Sequence, residues 1–243
     1  MTAISLTLVL ILAVITLFVE KAVWLEHLLP PFRWVSLAAG VSLAYVFLEL
    51  LPELGAAQRE LDHSGAALFP RQAYLLALVG IGLFYALEVL ALSSRKASLR
   101  RGGADYTGTL GFGVHILFFA AYHFLIGDLL NGISSRGSLA ALLLGIVLAL
   151  HFYMSDDSLR RHHSHRYHNW GRWVLAAALV AGYVAGSRVA ANARPVLWEL
   201  VTGALILNTV KEEMPKDKES CLVCFFSGAA VVSLLILYLA AQH

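Results

Sequence analysis

Residues 72–92 read QAYLLALVGIGLFYALEVLAL, a stretch with a single charge, Glu88. A helix of about 20 apolar residues matches the hydrocarbon thickness of a bilayer, and a run of this kind fits few other settings. Breaks of charge and turn residues mark off seven more runs, giving spans of roughly 3–20, 34–53, 72–92, 107–130, 138–156, 171–190, 195–213 and 222–241. They consume almost all of the 243 residues, so residues 1–243 read as a single transmembrane domain with no room for a soluble one. At 59% hydrophobic and 14% charged, the chain is far from the soluble average of about half and a quarter. The runs are continuously apolar and do not alternate with period two, which excludes a membrane β-barrel. The expected class is all-α, a polytopic membrane protein of eight transmembrane helices.

The first span has no basic residue before Ile4 and no obvious small-residue cleavage site before the second span, so it reads as a retained helix rather than a signal peptide. Basic residues alternate between loops. One set holds Lys21, Arg33, Arg95, Lys96, Arg100, Arg101, Arg160, Arg161, Arg166, Arg172, Lys211, Lys216 and Lys218; the other holds only Arg59, Arg71, Arg136, Arg188 and Arg194. Cytoplasmic loops carry the excess, which places both termini outside and the protein in a plasma or inner membrane. A net charge of +2 gives no sign of a nucleic-acid partner, and the basic loops need none beyond anionic lipid. Cys221 and Cys224 form a C-x-x-C with no further Cys in the chain, and read as apolar packing rather than a zinc site.

Ionisable side chains at membrane depth cost about 2.5–3.5 kcal/mol and usually face a bundle interior or one another. The candidates are Glu49, Glu88, His115, His123, Asp128, His151, Asp156 and Glu199. Glu88 and Glu199 lie near span ends, where snorkelling or an interhelix hydrogen bond serves. His123 and His151 lie too deep in the fourth and fifth spans to snorkel. The short link NGISSRGS makes those spans antiparallel neighbours, and two facing imidazoles are natural ligands of Zn²⁺ or a similar ion. Hydrogen bonds to backbone or hydroxyl partners would satisfy them equally. The stretch DDSLRRHHSHRYHNWGR, with His162, His163, His165 and His168, reads as a basic turn that could also bind metal loosely.

The segments GVSLAYVFLELLPEL, GALILNTVKEEMP, YHFLIGD and LHFYMSDD together resemble the second, seventh, fourth and fifth helices of ZIP metal transporters (zinc- and iron-transporter-like proteins). Leu-Leu-Pro-Glu is the segment closest in detail, and eight helices with both termini outside also agree. The resemblance implies a ZIP-like bundle with an inverted repeat relating the first three helices to the last three, and a homodimer. It also implies a metal path through His123 and His151, the first histidines of the two motifs. The family's other motif residues are replaced: Asn by Phe124, an acidic residue by Gly127, Glu by Phe152, Pro by Met154 and His by Ser155. Only Asp156 keeps an acidic position. Asp128 could replace the carboxylate missing at Gly127 if a kink or π-bulge turned the fourth helix by a residue. Glu49 could add an oxygen from the second helix, where Pro52 frees a carbonyl near Leu48.

Two readings of function follow. The first is a divalent-cation transporter holding its cargo on His123, His151 and Asp156, with Glu49 or Asp128. The cargo would be Zn²⁺, Fe²⁺, Mn²⁺ or Co²⁺, and no organic cofactor is expected. The second is a divergent member with a degenerate site, acting as a sensor, a scaffold or a transporter of another solute. An enzyme is not expected: neither His-Glu-x-x-His nor a late His-x-x-x-His is present, and no G-x-x-x-x-G-K-[ST] loop binds ATP. Small-residue runs such as GTLGFG and AAALVAGYVAG allow close helix packing, within or between chains.

Overall fold

The computed structural model describes residues 3–19, 31–65, 67–100, 109–132, 138–186, 193–213 and 220–241. The helices are α1 Ala3–Phe18, α2 Pro31–Tyr45, α3 Leu51–Ser64, α4 Gln72–Arg100, α5 Thr109–Gly132, α6 Ser138–Arg166, α7 Arg172–Ala185, α8 Ala193–Asn208 and α9 Leu222–Ala240. Three π-turns interrupt or extend them, at Val46–Leu50, Tyr167–Gly171 and Thr209–Glu213. With α2, its π-turn and α3 counted as one rod, the described residues form eight helices. Five of them are long and apolar enough to cross a membrane: Arg33–Ser64, Gln72–Ser94, Phe112–Asn131, Leu139–Asp156 and Leu222–Ala240. The protein is thus all-α and an integral membrane protein. Two spans, on α4 and α9, bury only 18% and 17% of their residues within the chain, so their remaining surface is left for lipid.

The π-turn at Val46–Leu50 has a local cause. Pro52 cannot donate to Leu48, and its ring pushes that carbonyl aside. The helix widens by one residue, and the Leu51 amide donates to Val46, five residues back. The π-turn at Thr209–Glu213 holds the same register: each begins six residues after a glycine, Gly40 or Gly203, and ends two before a proline, Pro52 or Pro215. The fourth span has no such turn. α5 runs as α-helix from Thr109 to Gly132, so the bulge that would swing Asp128 toward the His123 face is not there.

A second expectation changes at residue 157. The sequence predicts a turn after Asp156, whereas α6 continues to Arg166 and joins α7 through the π-turn at Tyr167–Gly171. Neither glycine nor proline occurs between Asp157 and Trp170, so nothing in that stretch breaks a helix. The chain still reverses, because Gly145 lies beside Leu8 while Tyr183 bonds Ser5, near the same end of α1. The side chains of His162, His163 and His165 lie outside the described residues; His168 is exposed.

Three pairs of helices carry the bundle, and each crosses on reciprocal glycines. In α2 and α9, Gly40 meets the Phe225 carbonyl and Gly228 that of Leu37. In α4 and α8, Gly80 meets Leu200 and Gly203 meets Ala77; in α5 and α7, Gly127 meets Leu179 and Gly182 meets Phe124. A Cβ at any of the six would collide with a facing backbone carbonyl. Without a hydrophobic drive between helices in lipid, such close approach supplies much of the attraction. Gly127 is therefore a packing surface, with no room for a carboxylate.

Each pair runs parallel. The Ser36 hydroxyl accepts from the Cys221 amide at 2.9 Å, ahead of the Gly40 crossing. Glu88 pairs with Lys211 beyond the Gly80 crossing. α1 runs antiparallel to α7, and its final carbonyls are capped from across the bundle: Tyr167 donates to Thr16 at 3.2 Å and Arg172 to Leu17 at 3.2 Å. Cys221 and Cys224 form a disulfide at the start of α9, where the sequence suggested two packed thiols. Three residues apart on a nascent helix turn, their Cα atoms are 5.2 Å apart, within the usual range for such a bond.

Candidate functional site

α6 presents polar residues on two stripes. His151 and Ser155 are four residues apart, as are Phe152 and Asp156, so each pair shares a face and the faces stand about 100° apart. The Asp156 stripe looks toward α5 and the His151 stripe toward α8. Of the three expected ligands, His123 and Asp156 come to 3.6 Å of each other, and His151 has contacts to Asn208 and Ser155.

His123 is wholly buried, and its Nδ1 lies 2.7 Å from the carbonyl of Phe119, one turn back on α5. A carbonyl only accepts, so Nδ1 carries the hydrogen and Nε2 presents its lone pair. That atom faces Oδ1 of Asp156 at 3.6 Å, and Asp156 is wholly buried as well. Phe152 packs its ring 4.4 Å from the His123 imidazole.

His151 makes different contacts. The side-chain amide of Asn208, at the end of α8, donates to Nε2 of His151 at 3.5 Å and to the Ser155 hydroxyl at 3.4 Å. All three residues are buried. The Tyr122 ring packs against both histidines, its centroid 5.8 Å from each imidazole. His151 also lines two small hollows. One is walled by Phe84, Phe118, Phe119, Tyr122, Ala204, Leu205 and Asn208. The other is walled by Ser42, Tyr45, Val46, Leu50, Val147, Leu148, Leu205 and Thr209. His151 and Leu205 are common to both and form the partition. Each π-turn of the repeated register contributes to the second hollow.

The other candidates stand apart. Asp128 is buried on α5, five residues and about 140° around from His123. Glu49 sits half-buried in the first π-turn. His115 is buried edge-on to Phe119. Among the described residues no three His, Cys, Asp or Glu side chains converge as a metal cluster. Asn208 escaped the sequence reading, although an amide inside GALILNTV is a signal, since polar side chains on membrane helices seek partners across the bundle.

Glu88 does find an interhelix partner, Lys211. Glu199 does not snorkel: it is 3% exposed, and neither carboxyl oxygen has a hydrogen-bond partner among the described residues. A buried acceptor without a donor costs about 1–3 kcal/mol. Glu199→Leu is therefore expected to raise the midpoint of thermal unfolding in detergent by about 2–6 °C. A lowered midpoint would mean that the carboxyl group holds the fold together. No protein-family model matches the chain, and no curated protein matches it in sequence.

Proposed function

We propose that the protein is a transporter of a divalent metal cation, built on a ZIP-like bundle, with His123 and Asp156 as the point that grips the ion. One observation carries this reading: a bare imidazole nitrogen and a carboxylate oxygen, both buried, face each other at 3.6 Å. That is longer than an N–H···O bond of about 2.7–3.2 Å. Two ligands about 2.1 Å from a tetrahedral cation stand about 3.4 Å apart, close to the spacing found. The Nδ1 hydrogen bond to Phe119 fixes the ring in the orientation that metal-binding histidines generally need. The cargo is Zn²⁺ or a chemically similar ion such as Fe²⁺, Mn²⁺ or Co²⁺.

The repeated register supports a transporter scaffold. Gly40, the π-turn and Pro52 in the second helix repeat as Gly203, the π-turn and Pro215 in the seventh. Exchanging the first three helices with the last three also converts the α2–α9 pair into the α8–α4 pair. Inverted repeats with sites at their interface are common in such proteins, and broken helices line those sites. The orientation with both termini outside rests on the distribution of basic residues.

The absence of a third acidic or imidazole ligand among the described residues favours a second reading, a ZIP-type bundle that has lost transport. The test is Zn²⁺ uptake into metal-free proteoliposomes by the parent and by the His123→Ala, His151→Ala double variant. The parent is expected to take up Zn²⁺ and the variant to fall to the level of empty liposomes. No flux of Zn²⁺, Fe²⁺, Mn²⁺ or Co²⁺ through folded, inserted parent protein would establish the second reading.

A further inference from the structure

We infer that Cys221 and Cys224 form a reversible redox site on the cytoplasmic face, a disulfide that thiols open and oxidised thiols close again while α9 keeps its place; this rests on the orientation read from the basic residues and stands apart from transport. Lys211, Lys216 and Lys218 put the segment before α9 on the cytoplasmic side. Glutathione and thioredoxin-type dithiols keep cysteines reduced there, and a disulfide that forms in that compartment is generally catalytic or redox-sensing. The sequence holds these two cysteines and no others, so each is the other's only partner within the chain.

The geometry suits a bond that opens and recloses. Both cysteines are half-buried at the first turn of a membrane span, and the two residues between them, Leu222 and Val223, are 70% and 77% exposed. A thiol can therefore reach the bridge. The cysteines are three residues apart, and a disulfide constrains the unfolded chain less the shorter the loop it closes. The start of α9 is held without the sulfur–sulfur bond. The Cys224 amide donates to Sγ of Cys221 at 3.2 Å, and the Cys221 amide donates to the Ser36 hydroxyl at 2.9 Å. All of these atoms survive reduction. The two thiols then stay one turn apart on one face of the helix, in position to close again.

The exchange runs through a mixed disulfide. A glutathione thiolate attacks Sγ of Cys224, a new sulfur–sulfur bond forms, and the Cys221–Cys224 bond breaks. Its electron pair leaves on Sγ of Cys221, where the Cys224 amide already donates. A second glutathione thiolate attacks the glutathione sulfur of the mixed disulfide and releases Cys224. Two glutathione thiols have then supplied two electrons, two protons end on the cysteines, and glutathione disulfide departs. The reverse sequence closes the bridge.

The test uses the full chain in sealed inside-out and right-side-out membrane vesicles, exposed to graded ratios of reduced to oxidised glutathione, which does not cross the bilayer. After acid quenching and solubilisation, free thiols are counted by the mass shift with maleimide-polyethylene glycol. In inside-out vesicles the count is expected to rise from none to two per chain as the ratio increases, and to return to none when the ratio is reversed. In right-side-out vesicles it is expected to stay at none, and the reduced chain is expected to remain monodisperse on gel filtration. A bridge that resists excess reduced glutathione in both preparations, or a reduced chain that aggregates, would mark a structural staple and overturn the proposal. So would opening from the right-side-out face alone, which would put the bridge in an oxidising space, or thiols that oxidised glutathione does not close. None of these results bears on Zn²⁺ uptake, which is measured separately.

Discussion

Gly80→Val is expected to leave almost no folded, monodisperse protein, while Gly82→Val, two residues along the same helix, is expected to purify and melt like the parent. A Cβ at Gly80 collides with the carbonyl of Leu200, and at Gly82 nothing lies within 4 Å. The obstruction is backbone on both sides, since α4 also receives Gly203 against the Ala77 carbonyl, so no rotamer change relieves it. Overpacking a core costs about 1–3 kcal/mol where side chains can shift, and more where they cannot. Against a total stability of about 5–15 kcal/mol, that is enough to part α4 from α8. Gel filtration and thermal unfolding of the two variants, prepared side by side, decide the matter. Equal behaviour would mean that α4 and α8 do not cross at Gly80.

Asp156→Asn is expected to stop Zn²⁺ uptake, by a factor of about 100 or more, while leaving the fold as stable as the parent or more so. The side-chain amide of Asn can donate to the lone pair on Nε2 of His123, turning a contact at 3.6 Å between two acceptors into a hydrogen bond. The buried charge is lost with the change, and its cost of about 2.5–3.5 kcal/mol with it. The cation loses its charged ligand and meets an N–H instead. Uptake and melting temperature therefore move in opposite directions. Parental uptake by this variant, in protein of parental stability, would place the transport path elsewhere.

The apolar runs alone specified where helices lie: each of the eight overlaps a described helix, and five of those helices are long and apolar enough to cross a membrane. Their boundaries were less legible. The α3 extension to Ser64 is amphipathic and carries Glu60 and Asp62, so hydropathy cut it short, although Gln58 ties it to the Ala73 amide at 2.9 Å. The partition of the site was readable in principle. Residues 151 and 156 are five apart on a helix and cannot share a face, while 152 and 156 can. Gly127 was legible only as a missing carboxylate, because a glycine's partner is a backbone on another helix, and no local pattern encodes it. The spacing shared by Gly40–Pro52 and Gly203–Pro215 was present in the sequence, but apolar substitutions between the fixed points obscured it.

The glycine crossings also set a timetable for biosynthesis. Ser36 and Cys221 meet at the α2–α9 contact, yet they are 185 residues apart. At roughly 5–20 residues per second, the ribosome needs about 10–40 s between making one and making the other. For that interval the face around Gly40 is in the membrane without the helix that covers it, open to any small-residue helix nearby. The α4–α8 crossing closes earlier, and that of α5 and α7 has the shortest wait. Assembly therefore proceeds from the middle of the chain outward, and the last helix to leave the ribosome is the one that seals the second.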